Sequence, residues 1–158
     1  SGTDVSASGS RIDLNVLIAN TVSAFEHNHP ERNLKVTPDL PSESLFVQAD
    51  QTMLQEAMLN IFSNSLVHGG PGLRQIWVTL RKSGADTAEI VIQDDGVGIA
   101  EDRHIEALSR FSQAGGGPGS GLGLAIAARV LKNHGGQLSI LPSARGAAIK
   151  LSLPLPGT

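Results

Sequence analysis

The chain has 158 residues, of which 40% are hydrophobic, and this is enough for one domain with an apolar core. Aromatic residues make up only 3%, so the core must be built from Leu, Ile, Val and Ala. The net charge of −3 gives no electrostatic footprint for nucleic acid, and the absence of cysteine excludes disulfides and thiolate metal sites.

The chain shows neither a signal peptide nor an apolar run of membrane-spanning length. These absences describe the given sequence only, and it is expected to be a fragment of a larger protein. Residues 1–10 are rich in Gly, Ser and Thr and are expected to be a linker or a remnant of preparation. Residues 11–158 are expected to form the folded domain.

The first half of the chain is predicted to hold two helices with two short strands between them. Apolar residues at intervals of three and four predict a helix over Asp13–Asn28, with Asp13 as its N-cap and Pro30 just past its end. Short strands are predicted at Leu34–Thr37 and Leu45–Gln48.

The second helix is predicted over Asp50–His68, and it carries an unusual polar stripe on a face that we expect to be buried. A spacing of four residues aligns the members of this stripe: Glu56, Asn60, Asn64 and His68. Buried amides need partners, because an unpaired polar group in a core is costly. The stripe therefore predicts either an amide ladder within the protein or one wall of a ligand site.

The second half of the chain is predicted to alternate strand pairs with one helix. Two strand pairs are expected: Gln75–Arg81 with Ala88–Gln93, and Gln137–Leu141 with Ala147–Leu153. Between them lie an irregular stretch, Asp94–Gly121, with a helical turn or two around Glu101–Arg110, and then a helix over Gly121–His134. This order predicts α/β or α+β layering, with helices on one face of a sheet.

A carboxylate followed by glycines stands at the end of the Ala88–Gln93 strand, in the sequence Asp94-Asp95-Gly96-Val97-Gly98-Ile99. Glycines there would let backbone approach a flat ligand without a Cβ in the way. An ionised carboxylate only accepts hydrogen bonds, so a buried Asp would select the amino group of adenine over the carbonyl of guanine. The alternative is a simple Asp-Gly turn at a strand end.

A run of glycines over 115–123 leads into the third helix. Free N–H groups at a helix N-terminus bind phosphate, and a glycine-rich loop could fold over a polyphosphate. The run is not a P-loop, because no Gly-Lys-Ser/Thr follows it. The alternative is a flexible linker.

Taken together and in this order, the three segments resemble the ATP-binding catalytic domain of two-component sensor histidine kinases. The wider superfamily also holds DNA gyrase, the Hsp90 chaperones and MutL. The resemblance runs from about Arg11 to Pro154. It implies the Bergerat ATP-binding fold, a two-layer α/β sandwich in which three main helices cover one face of a mixed sheet of about five strands. Its most specific parts are 59–65, 94–99 and 119–126.

The resemblance implies roles for individual residues. Asn64 would coordinate Mg²⁺ through the phosphates of ATP, Asn60 would support the triphosphate, and Asp94 would accept from the adenine amino group. The pocket would be completed by Gly96, Gly98 and Ile99 near the base and by His68 beside the nucleotide. Residues 100–120 would form a lid, with Phe111 as its anchor. The implied nucleotide-binding set also includes Gly119, Ser120, Gly121, Leu122, Gly123 and Leu124.

Asn60 bears on the reaction, because hydrolytic superfamily members carry a Glu there to activate water. An amide cannot act as a general base. Glu56, one turn away, could in principle serve as that base.

Departures from the family pattern fall at Val67, Leu108, Gln113 and Ala147. The residues Val67 and Gln113 stand where the family has cations near the γ-phosphate. Arg103 and Arg110 could compensate.

The implied function is to bind Mg·ATP and to transfer its γ-phosphoryl to a histidine on a separate dimerisation and phosphoacceptor domain, which then feeds a response regulator. The fragment would be monomeric and would belong to the cytoplasmic part of a bacterial inner-membrane sensor. Two alternatives stay open: an ATP-binding regulatory module without transfer, and a superfamily ATPase.

Four histidines are expected at the surface or at helix ends and not as acceptors: His27, His29, His104 and His134.

Overall fold

The computed structural model describes residues 9–30, 33–103 and 122–156 of the chain. These ranges contain three α-helices, one 3₁₀ helix and seven strands. In chain order they are β1 (Ser10–Asp13), α1 (Leu14–Asn28), β2 (Lys35–Asp39), β3 (Phe46–Ala49), α2 (Gln51–His68), β4 (Gln75–Ser83), β5 (Thr87–Asp94), the 3₁₀ helix (Glu101–Arg103), α3 (Leu122–Asn133), β6 (Gln137–Leu141) and β7 (Ala148–Pro154).

Five strands form one mixed sheet in the order β2-β4-β5-β7-β6, in which only the β2–β4 pair is parallel. Side chains alternate strictly along β5, where Ala88, Ile90, Ile92 and Asp94 are buried and the residues between them are half-buried. This alternation leaves one face of the sheet for the helices. The predicted fold class, a two-layer sandwich of a five-stranded mixed sheet and three helices, is confirmed.

The helices begin where the sequence predicts that they begin. The carboxylate of Asp13 accepts a hydrogen bond from the N–H of Val16 at 3.2 Å, and that of Asp50 accepts from the N–H of Met53 at 3.0 Å. Both are N-caps, which satisfy N–H groups that have no partner within the helix. In the core, Phe25 of α1 packs on Phe62 of α2, with ring centroids 5.1 Å apart.

The strand β1 was not predicted. It pairs antiparallel with β3 in a separate two-stranded sheet, with Ile12 opposite Val47. Only one of its four residues is buried, so its sequence has no alternating apolar pattern to detect. No helix in the described ranges has the length and the apolar character needed to cross a bilayer.

His134, expected at the surface or at a helix end, directly follows the last residue of α3 and is buried, with 8% exposure. Its Nε2 accepts a hydrogen bond from the N–H of Asp50 at 3.1 Å, and its Nδ1 lies 2.8 Å from the carbonyl oxygen of Val130. The ring therefore links α3 to the start of α2.

We expect His134→Ala to lower the free energy of unfolding by about 1–3 kcal/mol, because it leaves the buried N–H of Asp50 without a partner. Urea unfolding at pH 7 measures the change. His27→Ala, which truncates an exposed imidazole on α1, is the control and should change stability by about 0.5 kcal/mol or less. Equal stability of the two variants would contradict the linking role of His134.

Candidate functional site

The site is built around a carboxylate at the end of β5. Asp94 is 3% exposed, and it receives hydrogen bonds from three parts of the chain. The hydroxyl of Ser65 in α2 donates to Oδ2 at 2.7 Å. The backbone N–H groups of Gly96 and Ala147 donate to Oδ1 at 2.9 and 3.0 Å. The carboxylate thus joins the end of α2, the loop after β5 and the start of β7.

The hydrogen bonds from the described residues leave one acceptor position of Asp94 without a donor. An ionised carboxylate offers about four acceptor positions, two on each oxygen. The two N–H groups occupy Oδ1, whereas Oδ2 accepts from Ser65 alone among the described residues. The remaining position on Oδ2 can accept from an N–H or O–H group of a ligand, and it repels a ligand acceptor.

Glycines after β5 permit close approach of the protein backbone to itself. A Cβ on Gly96 would lie 2.5 Å from the carbonyl oxygen of Gly69 at the end of α2. Gly98 has a φ of +82°, and a Cβ on it would lie 2.8 Å from the carbonyl oxygen of Gly146. Both positions require glycine for packing between loops, whereas the sequence suggested close approach to a ligand.

The polar stripe of α2 does not lie on the buried face, and that expectation is wrong. Asn60 and Asn64 are half-buried, while Glu56 and His68 are exposed. The buried face is formed by Leu54, Ala57, Met58, Ile61, Phe62 and Ser65. Because four residues exceed one helical turn, a stripe with that spacing drifts around the helix to the edge of the apolar face. The two amides are therefore open on one side to a ligand.

The sequence did not indicate that Ser65 and the two backbone segments beside Asp94 belong to the site. Ser65 falls at the spacing of Met58 and Ile61, so it is the polar residue that does lie on the apolar face. That position could have been found by fitting the helical period to the apolar residues first. Gly69 and Gly146 carry no such signal, because their contacts span distant parts of the chain.

Other predicted site residues lie in different environments. Ile99 is half-buried and packs against the core, and the side chain of Leu124 is buried in the core with 1% exposure. Leu122 and Gly123 begin α3. Outside the described residues lie Phe111, Gly119, Ser120 and Gly121. Of the predicted lid, residues 100–103 are described, and they include the 3₁₀ turn Glu101–Arg103, which lies within the predicted helical turn.

The neighbouring Asp95 has partners different from those of Asp94. Its Oδ1 accepts from the N–H groups of Arg74 and Gln75 at 2.9 and 3.0 Å, and its Oδ2 lies 3.9 Å from the guanidinium of Arg145. Burial raises the pKa of Asp95, but these hydrogen bonds and the nearby charge outweigh it and hold the pKa below the ordinary value of 3.8.

The lowered pKa of Asp95 predicts a pH dependence of stability. The ionised carboxylate stabilises the folded chain above about pH 4, and this contribution is lost as the pH falls through the folded-state pKa. Asp95→Asn should therefore lower the unfolding free energy at pH 7, and the deficit should shrink below about pH 3. Urea unfolding at both pH values measures the loss of unfolding free energy, and Asp39→Asn, which changes an exposed carboxylate on β2, is the control. A loss that is the same at both pH values would contradict the lowered pKa of Asp95.

Comparison with known proteins identifies similar sequences. The model of a family described as histidine kinase-, DNA gyrase B-, and HSP90-like ATPase matches residues 49–157. The sensor-like histidine kinase SenX3 of Mycobacterium tuberculosis strain H37Rv is 32% identical over 151 residues. That match covers 90% of this chain but only 36% of SenX3, so the chain spans about a third of this relative.

Solved structures share the fold. The mycobacterial sensor histidine kinase MprB is 28% identical with a TM-score of 0.77, and the match covers 95% of this chain and 99% of that one. The histidine kinase ThkA, solved in complex with the response regulator protein TrrA, has a TM-score of 0.77 at 21% identity, which shows the fold alone; the match covers 94% of this chain and 42% of that one.

Proposed function

This chain belongs to the histidine kinase-, DNA gyrase B- and HSP90-like ATPase family, and we propose that it is the ATP-binding catalytic domain of a sensor histidine kinase. In this role it holds Mg·ATP while a histidine on a separate dimerisation and phosphoacceptor domain attacks the γ-phosphorus. The observation that carries the proposal is the buried carboxylate of Asp94, with one acceptor position left on Oδ2.

The recognition of adenine follows from the chemistry of that position. The exocyclic amino group of adenine donates a hydrogen bond, whereas guanine and hypoxanthine carry a carbonyl acceptor at the same carbon. In a buried site, an acceptor that faces an acceptor leaves both unpaired, which costs free energy. Asp94 therefore favours adenine nucleotides over those with a carbonyl at this position.

The magnesium ion in the proposal is held mainly by the nucleotide. Within the described ranges, no three His, Asp or Glu side chains form a group that could hold a metal ion. Mg²⁺ commonly takes one or two protein oxygens and obtains the others from phosphates and water. The half-buried amide of Asn64 suits that use, with Asn60 one turn earlier beside the triphosphate. When bound, Mg²⁺ neutralises charge on the phosphates.

The side chains of α2 favour transfer over hydrolysis. Asn60 is half-buried on α2 and presents an amide, which cannot take a proton from water. Glu56 is exposed one turn earlier. The domain therefore supplies positioning and charge stabilisation to a nucleophile from elsewhere. A steady release of phosphate by the isolated chain that Glu56→Gln abolishes would instead favour an ATPase.

The acceptor histidine in the proposal belongs to another domain. In the described part of the chain, His134 has both ring nitrogens engaged in the interior, and His27 lies on the helix α1. ThkA, which shares this fold, was solved with a response regulator, and we propose a response regulator as the downstream partner here. We also propose that the whole protein is an inner-membrane sensor with this domain in the cytoplasm.

A transfer assay tests the proposal. The chain is mixed with radiolabelled Mg·ATP and the phosphoacceptor domain of its own full-length protein, and acid-labile, base-stable label on that domain is measured. We expect label only when both proteins are present, and none with Asp94→Asn. Val67 is an exposed apolar residue where the family resemblance implies a cation, and this favours the regulatory alternative. ATP binding without any label would support that alternative and contradict transfer.

A further inference from the structure

A serine hydroxyl is buried against the carboxylate at the centre of the site. Ser65 lies on the apolar face of α2 with 7% exposure. Its Oγ–H donates to Asp94 Oδ2 over 2.7 Å, which is typical of a charge-assisted O–H···O bond. The backbone donors of Gly96 and Ala147 both bind Oδ1. Ser65 is thus the described residue that holds Oδ2, the oxygen with the remaining acceptor position.

The placement of the three donors fixes the plane of the carboxylate. Two donors on Oδ1 oppose rotation about the Cβ–Cγ bond, because that rotation would move Oδ1 away from them. The third donor, on Oδ2, opposes the same rotation from the other oxygen, and its own place around Oδ2 sets the direction of the remaining acceptor position. The single proton of the Ser65 hydroxyl is committed to Asp94, so it is not available to a ligand carbonyl.

We propose that Ser65 is a positioning residue that sets the nucleobase selectivity of the site. It holds Asp94 Oδ2 so that its remaining position accepts from the exocyclic amino group of adenine, and it offers no donor to a carbonyl there. This inference rests on the proposed adenine-nucleotide function. Removal of the hydroxyl leaves space for a water molecule, which can donate both to Oδ2 and to a base carbonyl. Selectivity would then fall.

The test compares ATP with inosine triphosphate, in which a carbonyl and an N–H replace the amino group and ring nitrogen of adenine. Dissociation constants are measured calorimetrically for the full chain, Ser65→Ala and Ser63→Ala, which removes an exposed hydroxyl from the same helix. We expect Ser65→Ala to weaken ATP about tenfold and to change inosine triphosphate less than about twofold, so that the preference falls about tenfold. Ser63→Ala should leave both constants unchanged.

A purely structural role for Ser65 gives a different result. A loosened site would lose affinity for both nucleotides together, and an unchanged preference in Ser65→Ala overturns the inference. The variants Ser65→Thr and Ser65→Val have side chains of nearly equal shape, and only Thr keeps the hydroxyl. Their comparison repeats the test even if Ser65→Ala does not fold. We expect the preference to be at least about fivefold greater with Thr than with Val. If the unaltered chain binds neither nucleotide, the proposed function itself fails.

Discussion

Asp94→Asn is expected to weaken ATP binding at least about a hundredfold while the chain remains folded. The amide oxygen of Asn can take the place of Oδ1 and keep the two N–H donors of Gly96 and Ala147. The amide nitrogen then takes the place of Oδ2, where the Ser65 hydroxyl can rotate to accept from it. The adenine amino group meets a donor instead of an acceptor, so its hydrogen bond is lost.

Calorimetric titration with ATP and thermal unfolding without nucleotide separate binding from folding in this variant. Asp39→Asn, which removes an exposed carboxylate from β2, is the control for the loss of one negative charge and should bind ATP normally. Full ATP affinity in Asp94→Asn would show that the base is recognised elsewhere. Loss of folding in Asp94→Asn would mean that the carboxylate is needed mainly to join α2, β5 and β7.

Gly146→Ala is expected to lower the free energy of unfolding by at least about 3 kcal/mol and to abolish ATP binding. Gly146 has a φ of +71°, which an L side chain rarely adopts. A Cβ there would overlap the carbonyl oxygen of Asp94 and would lie 2.7 Å from its Oδ1. The backbone of Gly146 and the side chain of Asp94 cannot both keep their places, so the acceptor position would be displaced.

Gly84→Ala separates the steric overlap from the strain of the backbone. Gly84, in the turn between β4 and β5, has a similar φ of +66°, but the nearest atom to a Cβ there is Asp86 Oδ1 at 3.9 Å. We expect Gly84→Ala to lower the free energy of unfolding by only about 1–2 kcal/mol and to leave the ATP affinity unchanged. Urea unfolding measures the first quantity and ATP titration the second. Equal losses of stability in the two variants would show that the contact between Gly146 and Asp94 matters little.

Much of the fold can be predicted because local patterns determine it. The periods of α1 and α2 and the carboxylates of Asp13 and Asp50 fixed the starts of both helices, and the capping bonds confirm them. The strand predicted over Ala88–Gln93 placed Asp94 at a strand end, and β5 does end at Asp94, with its side chain on the buried side. The family was predicted from the order of three motifs, and the family model over residues 49–157 confirms it.

The stripe of α2 was misplaced for a local reason, the drift of a four-residue spacing around the helix, but the other missed features depend on contacts between distant residues. The bonds from Ser65 and from the N–H of Ala147 to Asp94 span 29 and 53 positions of sequence, and no local pattern indicates them. The position of His134 at a helix end is visible in the sequence, whereas its partner Asp50 lies 84 positions away, so the burial of its ring was not indicated. The roles of Asn60 and Asn64 toward phosphate and Mg²⁺ stay predictions.

Titration of the unaltered chain with ATP, ADP and GTP in the presence of Mg²⁺ tests the central claim most directly. The carboxylate of Asp94 with one remaining acceptor position predicts that ATP and ADP both bind, because both carry adenine, and that GTP binds at least about a hundredfold more weakly. Binding of GTP as tight as that of ATP, or no binding of any nucleotide by the folded chain, would contradict the claim.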